Sequence, residues 1–212
     1  MEFLVINFLI FIILTSLSWS FTSPLCSSIC LCIWRNGKQT VLCEKQSLNS
    51  IPSGISSGTQ VLNLNKNYLQ ILPSKIFQEL GLINLQKIFL SECNISSIYN
   101  DAFTQLTNLI ELDLSKNQLN QVPSESLKHC FNLRRLQLNQ NEIKLIESDS
   151  FSTLTQLKSL DLSSSKIELI QPNAFRGLER LEFLKIDDNR LSILSFDVLN
   201  DLPILYSLDL YK

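Results

Sequence analysis

Apolar and polar positions recur along this chain at a fixed interval. Residues 109–119, LIELDLSKNQL, carry Leu109, Leu112, Leu114 and Leu119, with Asn117 between the last two. A step of 24 residues leads to Leu133, Leu136, Leu138, Asn141 and Ile143, and another to Leu157, Leu160, Leu162, Ser165 and Ile167. Leu181, Leu184, Ile186, Asn189 and Leu191 follow, then Leu205, Leu208 and Leu210. In the other direction lie Leu85, Ile88, Leu90, Cys93 and Ile95. A further copy, 26 residues earlier, holds Leu62, Leu64, Asn67 and Leu69. The Leu-x-Leu pair has period two, so both leucines face one side of a short strand and the residues between them face the other. Each copy therefore predicts a strand that is buried on one face.

The ninth position holds a short amide with two donors and an acceptor. It is suited to backbone groups where the chain leaves the strand, and stacked copies predict a ladder of such bonds. Cys93 and Ser165 depart from asparagine there, and serine is the weaker rung. Further along each copy, Leu72, Ile98, Val122, Ile146, Ile170 and Leu194 form one apolar column. Phe77, Phe103, Leu127, Phe151, Phe175 and Leu199 form a second, and Leu80, Leu106, Cys130, Leu154, Leu178 and Leu202 a third. No single coil buries these faces; stacking turns the columns into one continuous core.

The pattern resembles the extracellular leucine-rich-repeat proteins of animals, over residues 26–212. The resemblance implies an α/β leucine-rich-repeat solenoid. A curved parallel β-sheet would line its concave face, with short 3-10 or irregular segments on the convex side. Six complete repeats and a truncated seventh occupy 59–212. The first is two residues longer than the rest, with the extra pair near Gly81–Asn84, where a loop insertion costs little.

Ahead of the repeats stand Cys26, Cys30, Cys32 and Cys43, spaced C-x3-C-x-C-x10-C. In a secreted chain such a cluster reads as disulfides rather than as a zinc site. Four cysteines allow three pairings, and spacing does not choose among them. The cluster resembles the N-terminal cap of the same proteins, here residues 21–58, and the resemblance favours Cys26 with Cys32 and Cys30 with Cys43. Such a cap covers the open edge of the first coil. Cys93 and Cys130 fall in different slots of the repeat and are expected as unpaired buried thiols.

Secretion itself is read from residues 3–17, FLVINFLIFIILTSL, followed by Ser18-Trp19-Ser20. This is the apolar run and small-residue site of a signal peptide at 1–20. An uncleaved anchor is the alternative, although spanning a bilayer takes about 20 residues. The expected location is extracellular, or the cell surface if the chain continues beyond Lys212 into an anchor.

Charge adds little. Lys and Arg number 18 against 20 Asp and Glu, which gives no ground for nucleic acid or an anionic membrane as partner. Five glycines form no phosphate loop, and the single histidine, His129, lies beside Cys130, which the pattern sends to the core. No enzyme, cofactor or metal is expected. Asn94-Ile95-Ser96 is the one glycosylation sequon.

Function then rests on the outward strand positions. Candidate ligand-binding residues are Lys87, Phe89, Glu111, Asp113, Arg135, Gln137, Phe183 and Lys185. Phe89 and Phe183 stand out because exposed aromatics on a rigid surface make good contact anchors. Asp113, Asp161 and Asp209 recur in alternate repeats and read as a solvated acidic face rather than a cation site. The expected activity is recognition of another protein by a secreted binder. Two alternatives stand beside it: the front of a receptor or adhesion protein resembling the Toll-like or neuronal leucine-rich-repeat types, or a matrix protein of the small-proteoglycan kind. Ending eight residues into a repeat, the chain leaves these open, as it leaves its oligomeric state.

Overall fold

A computed structural model describes residues 26–193 and 195–210. The signal-peptide reading, Leu194 and Tyr211 lie outside them. Nine strands build one sheet. β1 (Leu31–Arg35) and β2 (Lys38–Leu42) form an antiparallel hairpin. β2 then pairs in parallel with β3 (Val61–Asn63). In each coil a three-residue strand carries the sheet onward. A second, two-residue strand follows in four of them. In chain order these are β4 (Ile71–Leu72), β5 (Lys87–Phe89), β6 (Ser97–Ile98), β7 (Glu111–Asp113) and β8 (Arg135–Gln137). They continue with β9 (Leu145–Ile146), β10 (Ser159–Asp161), β11 (Leu169–Ile170), β12 (Phe183–Lys185) and β13 (Ser207–Asp209).

The large sheet runs β1-β2-β3-β5-β7-β8-β10-β12-β13, parallel from β2 onward. Its register aligns Leu62, Ile88, Leu112, Leu136, Leu160, Leu184 and Leu208. All are fully buried except Leu208, which is half-buried on the last strand. The phenylalanine column is buried too, and its rings stack between neighbouring coils, with centroids 5.8 Å apart for Phe77–Phe103 and 6.1 Å for Phe151–Phe175.

The ninth-position ladder forms. Asn67 Nδ2 donates to the carbonyls of Cys43 and Leu64, and its Oδ1 accepts from the N–H groups of Gln46 and Leu48. Asn117, Asn141 and Asn189 repeat the arrangement. Where cysteine replaces asparagine, the Cys93 thiol donates to the Leu64 carbonyl at 3.1 Å. Ser165 accepts one bond, from Asn141 N–H at 3.3 Å.

The convex side is more regular than an irregular return. β4 pairs with β6, and β9 with β11, in two small sheets. Between them Pro123 breaks the series. Tyr99 N–H donates to Leu72 O, and Gln171 N–H to Ile146 O; Pro123, at the same place in its coil, has no N–H to give Ile98. Short helical turns stand at Ile76–Glu79 and Ser124–Leu127, and a 3-10 turn at Phe196–Asp201. The two-residue insertion sends Leu82 into the core, where it is fully buried.

In the cap, disulfides join Cys26 to Cys32 and Cys30 to Cys43. Cys93 and Cys130 are buried free thiols.

Candidate binding face

The outward face of the large sheet is built by strand alternation. With Leu112 pointing inward, Glu111 and Asp113 point out, and the same holds in every coil. Lys87, Glu111 and Arg135 occupy the entry position of three adjacent strands and form one ionic line. Lys87 Nζ lies 2.6 Å from Glu111, and Arg135 lies 3.7 Å from the other carboxylate oxygen. Glu111 is the most covered of the three. A single carboxylate between two cations leaves this line net positive.

Asp113 has a structural duty: its carboxylate accepts the N–H of Ser115 at 2.9 Å as the chain leaves the strand. Asp161 does the same for Ser163 at 3.0 Å, as Asn63 does for Asn65. Asp113 and Asp161 therefore act as local turn caps. Gln137 is half-buried and Lys185 exposed.

The two aromatic candidates differ. Phe183 is 43% exposed and meets Tyr206 edge to face, with centroids 5.9 Å apart. Phe89 is half-buried, so the expectation that it stands free is corrected. Its neighbours on the sheet are Asn63 and Asp113. Beside Phe183, a hollow of about 450 Å³ collects Lys87, Glu111, Arg134, Arg135, Lys158 and Glu182. Lys158 is paired there to Glu182 at 2.6 Å.

Two parts of this face escaped the repeat pattern. Tyr206, 84% exposed, precedes its strand by one residue and is not an alternation position. The cap hairpin extends the sheet, adding Thr40 and Leu42 beside Val61 and Asn63. Its signal was present: Asn36-Gly37, both with positive φ of 51° and 72°, sits between two apolar runs and is a strong hairpin turn.

Asn94 is exposed, with φ 56°, at the rim of a groove shared with Lys45, Lys66 and Tyr68. The Cys130 thiol is buried and pushed up to about 12 by loss of solvent, and burial pushes Cys93 up to about 11. Both are protonated at neutral pH and are poor nucleophiles.

The sequence model of the leucine rich repeat family matches residues 83–143, 131–191 and 160–211. The chain is a leucine-rich repeat protein. This leucine-rich repeat protein is 32% identical to the mouse chondroadherin-like protein over 102 residues, 48% of its own length and 13% of that protein's. It is 38% identical to human leucine-rich repeat-containing protein 4C over 55 residues, 26% of its length and 8% of that protein's. Among solved structures, the crystal structure of a TLR13–ssRNA13 complex matches with a TM-score of 0.69 and 30% identity, covering 73% of this chain and 21% of that one. The chain thus spans a small part of each of these proteins. The family and its fold are typically binding scaffolds rather than enzymes.

Proposed function

We propose that this leucine-rich repeat protein works outside the cell and recognises another protein through its concave sheet. The observation that carries the reading is a continuous nine-stranded sheet whose outward side chains include an ionic line and an exposed aromatic pair. Phe183 and Tyr206 offer large rigid contact area at low entropic cost, and the exposed Arg135, two strands away from Phe183 and turned toward Glu111, adds a charged anchor. The two cap disulfides support an oxidising compartment. Asn94, exposed at the groove rim, is proposed to carry an N-linked glycan. A cell-surface receptor or adhesion protein would use the same face.

Protein is preferred to nucleic acid. The single-stranded RNA belongs to the matched structure, and on the present sheet Glu111, Asp113, Asp161, Asp187 and Asp209 interrupt any continuous basic track.

The test pairs location with binding. Intact mass of protein from the native source, before and after reduction and deglycosylation, should give a secreted or surface form with two disulfides and a glycan at Asn94. Protein found in the cytosol with all six cysteines reduced overturns the extracellular reading. Screening against an array of extracellular domains should yield a partner whose affinity drops about tenfold or more in Arg135→Glu or in Phe183→Ser with Tyr206→Ser. The convex variant Leu169→Ser should bind normally. The reverse pattern removes the concave face from the account.

A further inference from the structure

At the front of the sheet lies a hollow of about 470 Å³ unlike the rest of the face. Its floor is apolar and spans three adjacent strands: Leu42 on β2, Val61 on β3 and Phe89 on β5, each half-buried. Its rim is cationic, formed by Arg35, Lys38 and Lys87, and no carboxylate lines it among the described residues. The neighbouring hollow, by contrast, contains Glu111 and Glu182. The rim charges are unequally committed. Lys87 is engaged by Glu111, and Lys38 Nζ donates to the Gln86 side chain at 2.6 Å, which leaves its charge intact. Arg35 is exposed and makes no ion pair among the described residues. The apolar surface continues onto β1, where Leu31 pairs with Leu42 in register and is 60% exposed.

We propose that this hollow, where the cap hairpin meets the first coils, binds an acidic segment of a protein partner. An aliphatic or aromatic side chain seats on Leu42, Val61 and Phe89, and a carboxylate within two residues of it is taken by Arg35. This deepens the reading of the concave face as a protein-binding surface and rests on it. The apolar floor supplies non-directional burial. The guanidinium fork matches a carboxylate in two bonds. Lys38 and Lys87 add a local positive field that speeds the approach of an acidic segment. A sulfated polysaccharide or a nucleic acid fits less well: its charge repeats along its length, and the next strand meets it with Glu111 and Asp113.

The test is to pan a displayed random-peptide library against the full disulfide-bonded chain. Recovered peptides are then measured by fluorescence anisotropy on the wild type and on Arg35→Glu, Phe89→Ala, Lys185→Glu, Arg135→Glu and the convex variant Leu169→Ser. The expected sequences place Asp or Glu within two residues of Leu, Ile or Phe, and their binding weakens as salt is raised. Arg35→Glu, an exposed change that leaves the core alone, should weaken them about tenfold or more. Phe89→Ala should weaken them as well, and Leu169→Ser, on the convex side, should not.

Basic or uncharged sequences, no enrichment, or equal affinity in Arg35→Glu overturns the proposal. So does displacement of the peptides by heparin or by a single-stranded oligonucleotide at equal charge, which would assign the hollow to polyanions. Peptides that respond to Lys185→Glu or Arg135→Glu but not to Arg35→Glu defeat the hollow and leave the concave reading standing. Peptides that ignore every one of these variants defeat both.

Discussion

Asn117 ties its own coil to the preceding one. Its Nδ2 reaches the carbonyls of Leu90 and Leu114, and its Oδ1 takes the N–H groups of Cys93 and Ile95. All of these groups lie away from water, so truncation leaves several of them unpaired at about 1–3 kcal/mol each. Asn117→Ala should therefore cost about 3 kcal/mol or more in urea unfolding. Ser165 is the converse case, with its single accepted bond. Ser165→Asn should stabilise by about 1 kcal/mol, and a loss would mean that the coil has closed around the smaller side chain. The two free thiols act through pH. Both are held above the ordinary value of 9.0 by burial. Below pH 9 folded and unfolded chains keep their thiol protons alike, and this contribution is fully present. As pH rises from 9 toward 11 the unfolded chain ionises first and stability drains away. Urea midpoints should fall across that window, and less steeply once Cys93→Ala and Cys130→Ala are combined.

At the scale of elements, a three-residue strand has no stability of its own and exists because its neighbours do. Close approach between coils is therefore demanding. Gly177 has φ 89°, and a Cβ built on it would stand 2.4 Å from the Ser152 carbonyl oxygen of the preceding coil. Gly177→Ala meets both a left-handed backbone and a backbone clash, and should destabilise by about 2 kcal/mol or more, read as a lowered Tm. The large sheet, its inward leucines and the asparagine rungs were legible because each follows from spacing within one coil. What was hidden depends on the neighbouring coil. Phe89 occupies an outward position like Phe183, yet Phe183 has Tyr206 as its companion and Phe89 does not. The cap hairpin was hidden for another reason. Its four cysteines drew the eye to covalent bonds, while alternation around Asn36-Gly37 already announced two strands. The small convex sheets were not legible because two residues are too few for a periodic signal.

At the scale of the whole molecule, coils are joined repeatedly by charges one repeat apart. Glu92 meets Lys116 at 3.2 Å, Glu142 meets Lys166 at 2.7 Å, and Lys158 meets Glu182 at 2.6 Å. These pairs are largely solvent-exposed and each adds little. They favour correct neighbours over slipped ones more than they add strength. The aligned register from β3 to β13 makes the concave side a continuous hydrogen-bonded band, whereas on the convex side strand pairing is confined, among the described residues, to two separate pairs.

The gap at Pro123 gives the molecule an uneven stiffness. On the concave side the band is unbroken through β7. On the convex side no strand pairing joins Ile98 to Val122, or Val122 to Ile146, among the described residues; those coils are held instead by single bonds nearer the sheet, Gln118 N–H to Ile95 O and Glu142 N–H to Leu119 O. The outer rim is therefore the less tied side of this coil, and local opening is expected there first. Hydrogen exchange should report it as faster backbone exchange at Gln121 and Val122 than at Leu145 and Ile146. Pro123→Thr, which restores an N–H opposite Ile98, should slow it. The arc of the solenoid is then an adjustable quantity, set at one coil, and a partner seated in its hollow side would feel that curvature as a spring.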